Sequence, residues 1–367
     1  MEDWPQERRQ TISMRASLAV GLLALGCGAI PRVGHVPNVR FMSVAVGHGF
    51  VCAADHERSV WCWGRSAPFG ERAAEYWVPR RVPELGEAVL VHASPSRLCI
   101  TRADGDVECT GGRNSTAPVG CNEDVAIDIG ATGRVAGVGG ATELRMSDAT
   151  VCGRVNGAWV CDTLASASLG AACPLSDDPA FGVDALDVSL FDGLICAVRP
   201  LDGGVECWGN GYLGVLGGGE GERCVPPPGV RLGSGAEHVR VGGNLACHWA
   251  DAGPLTCWGG LGGINHDQGP RVVLSSGLVN VELSASQILI SDVSGAVRDV
   301  GFDGGMYNRV ALPPSVEQWA VGGCHTACGI REGRVWCYST NAHGELGESG
   351  RSRGWRLREV QWEPNHG

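Results

Sequence analysis

Cys247-His-Trp-Ala-Asp-Ala-Gly-Pro-Leu-Thr-Cys257, followed by Trp258-Gly259, reads as a β-hairpin. Residues that face each other across a hairpin have a constant index sum. With the two cysteines opposite one another, the strands meet in the three-residue loop Asp251-Ala252-Gly253. Glycine stands third, where such a loop needs a positive φ that other residues resist. Facing Cα atoms in antiparallel strands lie about 4.5–5.5 Å apart, within disulfide reach. The stretch is therefore a stapled hairpin, and the chain repeats it. Cys99 to Cys109 turns at Ala103-Asp104-Gly105, and Cys52 to Cys62, then Trp63-Gly64, keeps the spacing of ten.

Anchoring on the turn residue and the position four after it gives Arg58/Cys62, Gly105/Cys109, Gly157/Cys161, Gly203/Cys207, Gly253/Cys257, Gly295/Asp299 and Gly333/Cys337. These seven units are separated by 47, 52, 46, 50, 42 and 38 residues. A period in this range marks a solenoid or a propeller. An apolar strand precedes each hairpin, as in Val44-Ala-Val-Gly47, Val239-Arg-Val-Gly242 and Trp319-Ala-Val-Gly322. A Pro/Val strand tends to follow, as in Val78-Pro-Arg-Arg-Val82. Four short strands per repeat make one propeller blade. Helical periodicity is nearly absent, and 57 glycines and 19 prolines punctuate the chain, as short strands and tight turns require. The expected fold is all-β, one seven-bladed β-propeller over 39–367, built from tandem repeats of 38–52 residues.

The sixth unit sharpens the pairing. Leu289 and Asp299 replace both cysteines together while Val293-Ser294-Gly295 keeps the turn. Independent thiols would more often be lost singly, so the cysteines are read as partners within each hairpin. The candidate disulfides are Cys52/Cys62, Cys99/Cys109, Cys152/Cys161, Cys196/Cys207, Cys247/Cys257 and Cys328/Cys337. Three depart from the spacing of ten. Asn156-Gly157 restores facing for Cys152 and Cys161 if it forms a two-residue turn. Cys196 and Cys207 are eleven apart, and in the seventh unit a loop with glycine third places Ala327, not Cys328, opposite Cys337. The pairing of Cys121, Cys173, Cys224 and Cys324 stays open.

His325-Thr-Ala-Cys-Gly-Ile-Arg-Glu-Gly-Arg-Val-Trp-Cys337, with Asn341-Ala-His-Gly-Glu-Leu-Gly347 behind it, resembles the regulator-of-chromosome-condensation repeat, as does Val205-Glu-Cys-Trp-Gly-Asn-Gly-Tyr-Leu-Gly214. The resemblance covers about residues 39–362, strongest in units one, four, five and seven. It implies a seven-bladed propeller. Members of that family are mostly interaction platforms. One eukaryotic branch promotes nucleotide exchange on a small GTPase and binds chromatin, and one secreted bacterial member inhibits β-lactamases.

Residues 1–38 precede the repeats. Arg8, Arg9 and Arg15 lead into an uncharged run from Ala16 to Ile30. That is short for a membrane span but suits a signal-peptide core, whose start is Met1 or Met14. Leu23-Ala-Leu-Gly-Cys27 resembles a lipoprotein processing site, with Cys27 as the lipidation candidate. Seventeen cysteines in 367 residues agree with export, because cytosolic proteins rarely hold disulfides. The expected location is the periplasm, the outer-membrane surface or the exterior. Zinc would need clustered Cys-x₂₋₄-Cys pairs, and only Cys324/Cys328 comes close. Net charge is −11, and all 29 basic residues are arginine. Lysine chemistry is thereby removed, and nucleic acid is disfavoured, since binding it needs a basic surface.

No catalytic motif, cofactor loop or metal set emerges: Asp104-Gly105-Asp106 lacks the rest of a calcium loop, and no nucleophile elbow or His-Glu-x-x-His is present. Trp63, Trp208 and Trp258 read as packing between blades, and His325 and Thr326 as a hydrogen bond tying one blade to the next. His48 is assigned no role. Loops on a rigid scaffold carry binding, and Tyr, Trp and Arg dominate hot spots. The partner-binding candidates are therefore Phe69, Arg72, Tyr76 and Trp77 in 65–77, and Tyr212 in 210–229. The expected function is an extracytoplasmic, monomeric protein-binding scaffold without catalysis, its only membrane link a lipid anchor. The alternatives are a hydrolase or lyase with a site in the propeller channel, which needs facing Asp, Glu, His or Tyr with shifted pKa values, and a GTPase exchange factor.

Overall fold

A computed structural model describes residues 39–64, 76–111, 133–164, 180–191, 193–210, 215–216, 224–243, 245–251, 253–259, 270–284, 287–300, 306–323, 326–348 and 354–361. The leader with Cys27 lies outside them, as do Phe69, Arg72, Cys121, Cys173, Tyr212, Cys324 and His325. Seven four-stranded antiparallel sheets follow one another. Blade 1 is β1 (Phe41–Val46), β2 (Phe50–Asp55), β3 (Val60–Gly64) and β4 (Tyr76–Arg81). Blade 2 is β5 (Leu90–Ala93), β6 (Arg97–Thr101), β7 (Val107–Gly111) and β8 (Gly133–Arg134). Blade 3 is β9 (Leu144–Met146), β10 (Thr150–Val155), β11 (Ala158–Thr163) and β12 (Ala180–Val183). Blade 4 is β13 (Val188–Phe191), β14 (Leu194–Val198), β15 (Val205–Asn210) and β16 (Cys224–Leu232). Blade 5 is β17 (His238–Gly242), β18 (Leu245–Trp249), β19 (Leu255–Gly259) and β20 (Arg271–Leu274). Blade 6 is β21 (Leu278–Leu283), β22 (Ile288–Asp292), β23 (Val297–Val300) and β24 (Met306–Leu312). Blade 7 is β25 (Gln318–Gly322), β26 (Thr326–Arg331), β27 (Arg334–Ser339) and β28 (Arg356–Glu359). The fold is a seven-bladed β-propeller.

The first strands of neighbouring blades pack against each other all the way round, so they form the inner ring. Alternating connections give the ring two ends. The tip end carries the turns between second and third strands and the links between blades. The loop end carries the other two connections of each blade.

All six cysteine pairs face each other in register and are bonded, with Cα atoms 4.0–4.1 Å apart. Turn length adapts to keep them facing. Asn156 and Gly157 form a two-residue turn with φ of 51° and 86°, the conformation such hairpins prefer. The seventh unit departs from the three-residue loop read from sequence. Glu332 and Gly333 form another two-residue turn, φ 54° and 73°, which puts Cys328 opposite Cys337. In blade 4, Val198 faces Val205 across a longer loop, which accommodates the spacing of eleven. In blade 6, Leu289 faces Asp299 in the position of the staple. Leu289 is fully buried, and Gln287 donates to Asp299 (3.2 Å).

The turn residue that anchors the repeat also hands one blade to the next. The carbonyl oxygens of Arg58, Gly105, Gly203 and Gly295 accept from the N–H groups of Ala88, Gly140, Ala236 and Ser315, each in the link to the following blade (2.8–3.2 Å). Arg58, with φ 65°, adopts the left-handed conformation without glycine's freedom. The ring closes by the same bond: Phe41 N–H donates to the carbonyl of Gly333 (2.8 Å). A Cβ on Gly322 would lie 2.1 Å from the Val46 carbonyl oxygen, so only glycine lets β25 approach β1 so closely. The last strand, β28, pairs with β27 of its own blade. No strand from the start of the chain enters blade 7 among the described residues.

Candidate functional site

Inner strands have a free edge, and unpaired N–H groups on such an edge need partners. At three seams a side chain of one blade supplies them to the next. Ser43 Oγ accepts from Val91 N–H (3.0 Å). Gln318 Oε1 accepts from Val44 N–H (2.8 Å), and its Nε2–H donates back to the Val44 carbonyl (3.2 Å). Between blades 4 and 5, Ser189 Oγ accepts from Val241 N–H (2.9 Å), and Asp187 Oδ2 from Val239 N–H (3.1 Å). This last seam alone of the three uses a charge, and it draws in a cluster.

Asp187 is buried just before β13, where its Oδ1 also accepts from Val188 N–H (2.9 Å). Arg240 of β17 donates to Asp187 Oδ2 (2.8 Å) and reaches Glu282 of β21 (3.4 Å). Arg145 of β9 lies 3.8 Å from Asp187 Oδ1 and 2.5 Å from Glu143. His238 Nδ1 lies 3.8 Å from Asp187 Oδ2, and its Nε2 3.3 Å from Asp251 Oδ1. The His238 ring stacks on Trp249 at 5.1 Å, and the Arg240 guanidinium lies 5.6 Å from the same indole. Four consecutive inner strands thus share one alternating set of charges.

Burial raises the Asp187 carboxyl, but Arg240, His238, Arg145 and the Val239 amide outweigh it and hold the pKa at about 2. The Asp187 carboxylate raises His238 above its ordinary value, against desolvation that lowers it. His92 of β5 is lowered to about 4, first by burial and then by the charge of Arg145. The arrangement therefore keeps Asp187 ionised and His92 neutral at physiological pH. His238 is left as the group set between two carboxylates and able to exchange a proton.

A second recurrent contact ties blades at the loop end. Trp63 Nε1–H donates to the Glu345 carbonyl (2.8 Å) and Trp258 Nε1–H to the Val215 carbonyl (2.7 Å). Both acceptors directly precede Leu-Gly in the previous blade. Asn341 folds its loop for this by accepting from Leu346 N–H (2.8 Å) and donating to the Glu348 carbonyl (3.2 Å). Trp208 is buried in the seam between blades 3 and 4. The three tryptophans pack between blades. Thr326 does not: its hydroxyl meets Ser339 Oγ within its own hairpin (3.0 Å), because the two residues face each other across β26 and β27. His48 is buried, its N–H donating to Pro95 of blade 2 (2.9 Å) and its ring 5.9 Å from His343.

Of the sequence-derived partner candidates, Tyr76 and Trp77 lie among the described residues, and Phe69, Arg72 and Tyr212 lie outside them. Tyr76 stands at the start of β4. Trp77 is half-buried, and a Cβ on Gly344 of blade 7 would lie 2.8 Å from its ring. The charged inner cluster escaped the sequence reading. Its residues come from links and inner strands with no common motif, and only the ring brings them together.

No protein-family model matches the sequence, and no curated protein matches it. Solved structures do resemble the fold. Human WBSCR16 aligns with a TM-score of 0.54 at 15% identity, covering 78% of this chain and 85% of that one. PorZ of Porphyromonas gingivalis, described as a bacterial surface component of the type-IX secretion system, aligns at 0.50 with 10% identity, covering 88% of this chain and 38% of PorZ. Prp20p of Saccharomyces cerevisiae, the yeast RCC1, aligns at 0.43 with 16% identity, covering 87% of this chain and 76% of that one. Six disulfides point to an extracytoplasmic location. In fold, the chain is a seven-bladed β-propeller that resembles human WBSCR16 at low sequence identity.

Proposed function

We propose that this protein is an exported protein-binding scaffold with no catalytic step of its own, working in the periplasm, at the outer-membrane surface or outside the cell. The observation that carries this reading is the use made of the inner charges. The Asp187 carboxylate receives two backbone N–H groups and a guanidinium, which leaves it a poor general acid or base and a good structural acceptor. The disulfides speak against a cytosolic exchange factor.

A second reading, an enzyme with its site in the channel, draws on His238, whose neighbours raise its pKa, beside a buried carboxylate. Cross-linking in the native envelope followed by mass spectrometry separates the two. The scaffold reading expects a protein cross-linked through the rim and retained when His238 is changed to Gln. A small molecule that co-purifies in native mass spectra and is lost in His238→Gln, with no protein cross-linked, would support the enzyme.

A further inference from the structure

Among the described residues, five of the six large apolar side chains left exposed belong to blades 4 to 6 or the link entering blade 4. Four of them stand at the tip end. Leu186 (38% exposed) and Val279 (56%) are at the starts of inner strands, and Leu201 (98%) and Val293 (82%) are on hairpin tips. Each pair belongs to one blade. Leu186 N–H donates to the Val198 carbonyl, three residues before Leu201 (2.8 Å). Val279 sits in the bulge beside Asp292, the residue before Val293.

Blade 5 lies between them with a different chemistry. Glu237, His238 and Asp251 each bring one ligand-type atom within 4.8 Å of the others. Glu237 accepts from Asp251 N–H (2.8 Å), and the Asp251 side chain is 84% exposed. Neither carboxylate meets an arginine among the described residues. Several other carboxylates at this end meet an arginine: Asp202 meets Arg231, Asp106 meets Arg134 and Glu206 meets Arg199. Two converging carboxylates that meet His238 but no arginine among the described residues, flanked on both sides by exposed leucine and valine, have a natural complement. A guanidinium or ammonium fits the centre, with a planar fork favoured by two carboxylates, and apolar side chains fit the flanks.

We propose that the tip end of blades 4 to 6 is an interaction surface for a basic polypeptide segment with apolar residues on either side of an arginine or lysine. The proposal rests on the scaffold reading and moves the partner from loops 65–77 and 210–229 to the opposite end of the ring. Fluorescence anisotropy with three labelled peptides of equal length and apolar spacing, carrying Arg, Gln or Glu, tests it. The Arg peptide should bind best and weaken about tenfold as salt rises from low to high. Glu237→Gln with Asp251→Asn should lower its affinity about tenfold and flatten the salt dependence. Leu201→Ser with Val293→Ser should lower affinity by a similar factor, roughly tenfold, and leave the salt dependence in place. These are exposed tip positions, and circular dichroism checks that each variant folds. Equal binding of the Arg and Glu peptides, no binding of any, or binding indifferent to both variant pairs overturns the proposal. If envelope cross-links instead map to the loop end, this surface is wrong while the scaffold stands.

Discussion

The seams between blades 7 and 1 and between blades 4 and 5 perform the same task with different chemistry. In both, a side chain of one inner strand accepts an N–H of the next. Gln318 does it as a neutral amide that returns a donor to the same residue. Asp187 does it as a buried anion that then needs Arg240. The neutral solution shows that a charge is not required to close a seam. The charged one raises the stakes, because each buried ion is costly unless its partner remains. It also reaches outward through His238 to the exposed Asp251, connecting the interior of the ring to the surface proposed for a partner.

Substitutions break this comparison most sharply. Asp187→Ala leaves the buried Arg240 with Glu282 alone and two backbone N–H groups without their acceptor, and should cost about 3–5 kcal/mol in urea denaturation. Gln318→Ala leaves one neutral N–H unpaired and should cost about 1–3 kcal/mol. Equal costs would mean that the ion pair adds nothing beyond a hydrogen bond. Staples give a second contrast, between blade 6 and its neighbours. Leu289 and Asp299 face each other in register, so replacing both with cysteine should form a bridge. The oxidised form should exceed the reduced form of the same variant by about 2–3 kcal/mol.

Acid sharpens the same contrast. The unfolded chain protonates Asp187 near 3.8 and the folded chain at about 2. Its contribution, about 2 kcal/mol, is present above pH 4 and disappears as pH falls towards 2. His92 acts earlier: unfolded, it takes a proton near 6.5, but folded only at about 4. Stability should therefore fall as pH drops through that window. His92→Gln should flatten the upper window and Asp187→Asn the lower one, read from denaturation midpoints at stepped pH. The smallest effect is expected at the loop end, where Trp63→Phe keeps the packing and loses the bond to Glu345, costing about 1 kcal/mol.

The staples were legible because facing is local arithmetic: two residues with a fixed index sum meet whatever surrounds them. Loop length was less so. Glu332 gives no hint that it adopts φ 54°, and that choice alone moved Cys328 into register. The seam side chains were not legible. Ser43, Asp187 and Gln318 share a structural position but no chemistry, and they act on residues 48, 52 and 274 positions away. In sequence Ala185-Leu-Asp187 is an unremarkable link. It becomes a charged junction only once the ring places β13 beside β17. The tryptophans lie between these cases. Their recurrence announced packing between blades, while the carbonyls of Glu345 and Val215 that they meet needed the structure.

Intact mass of the protein from its native envelope, alkylated before and after reduction, tests the stapled extracytoplasmic ring most directly. The twelve hairpin cysteines should take up label only after reduction, and peptide mapping should pair Cys52 with Cys62 and Cys328 with Cys337 as in the structure. Full labelling of those cysteines without reductant would contradict both the staples and the compartment.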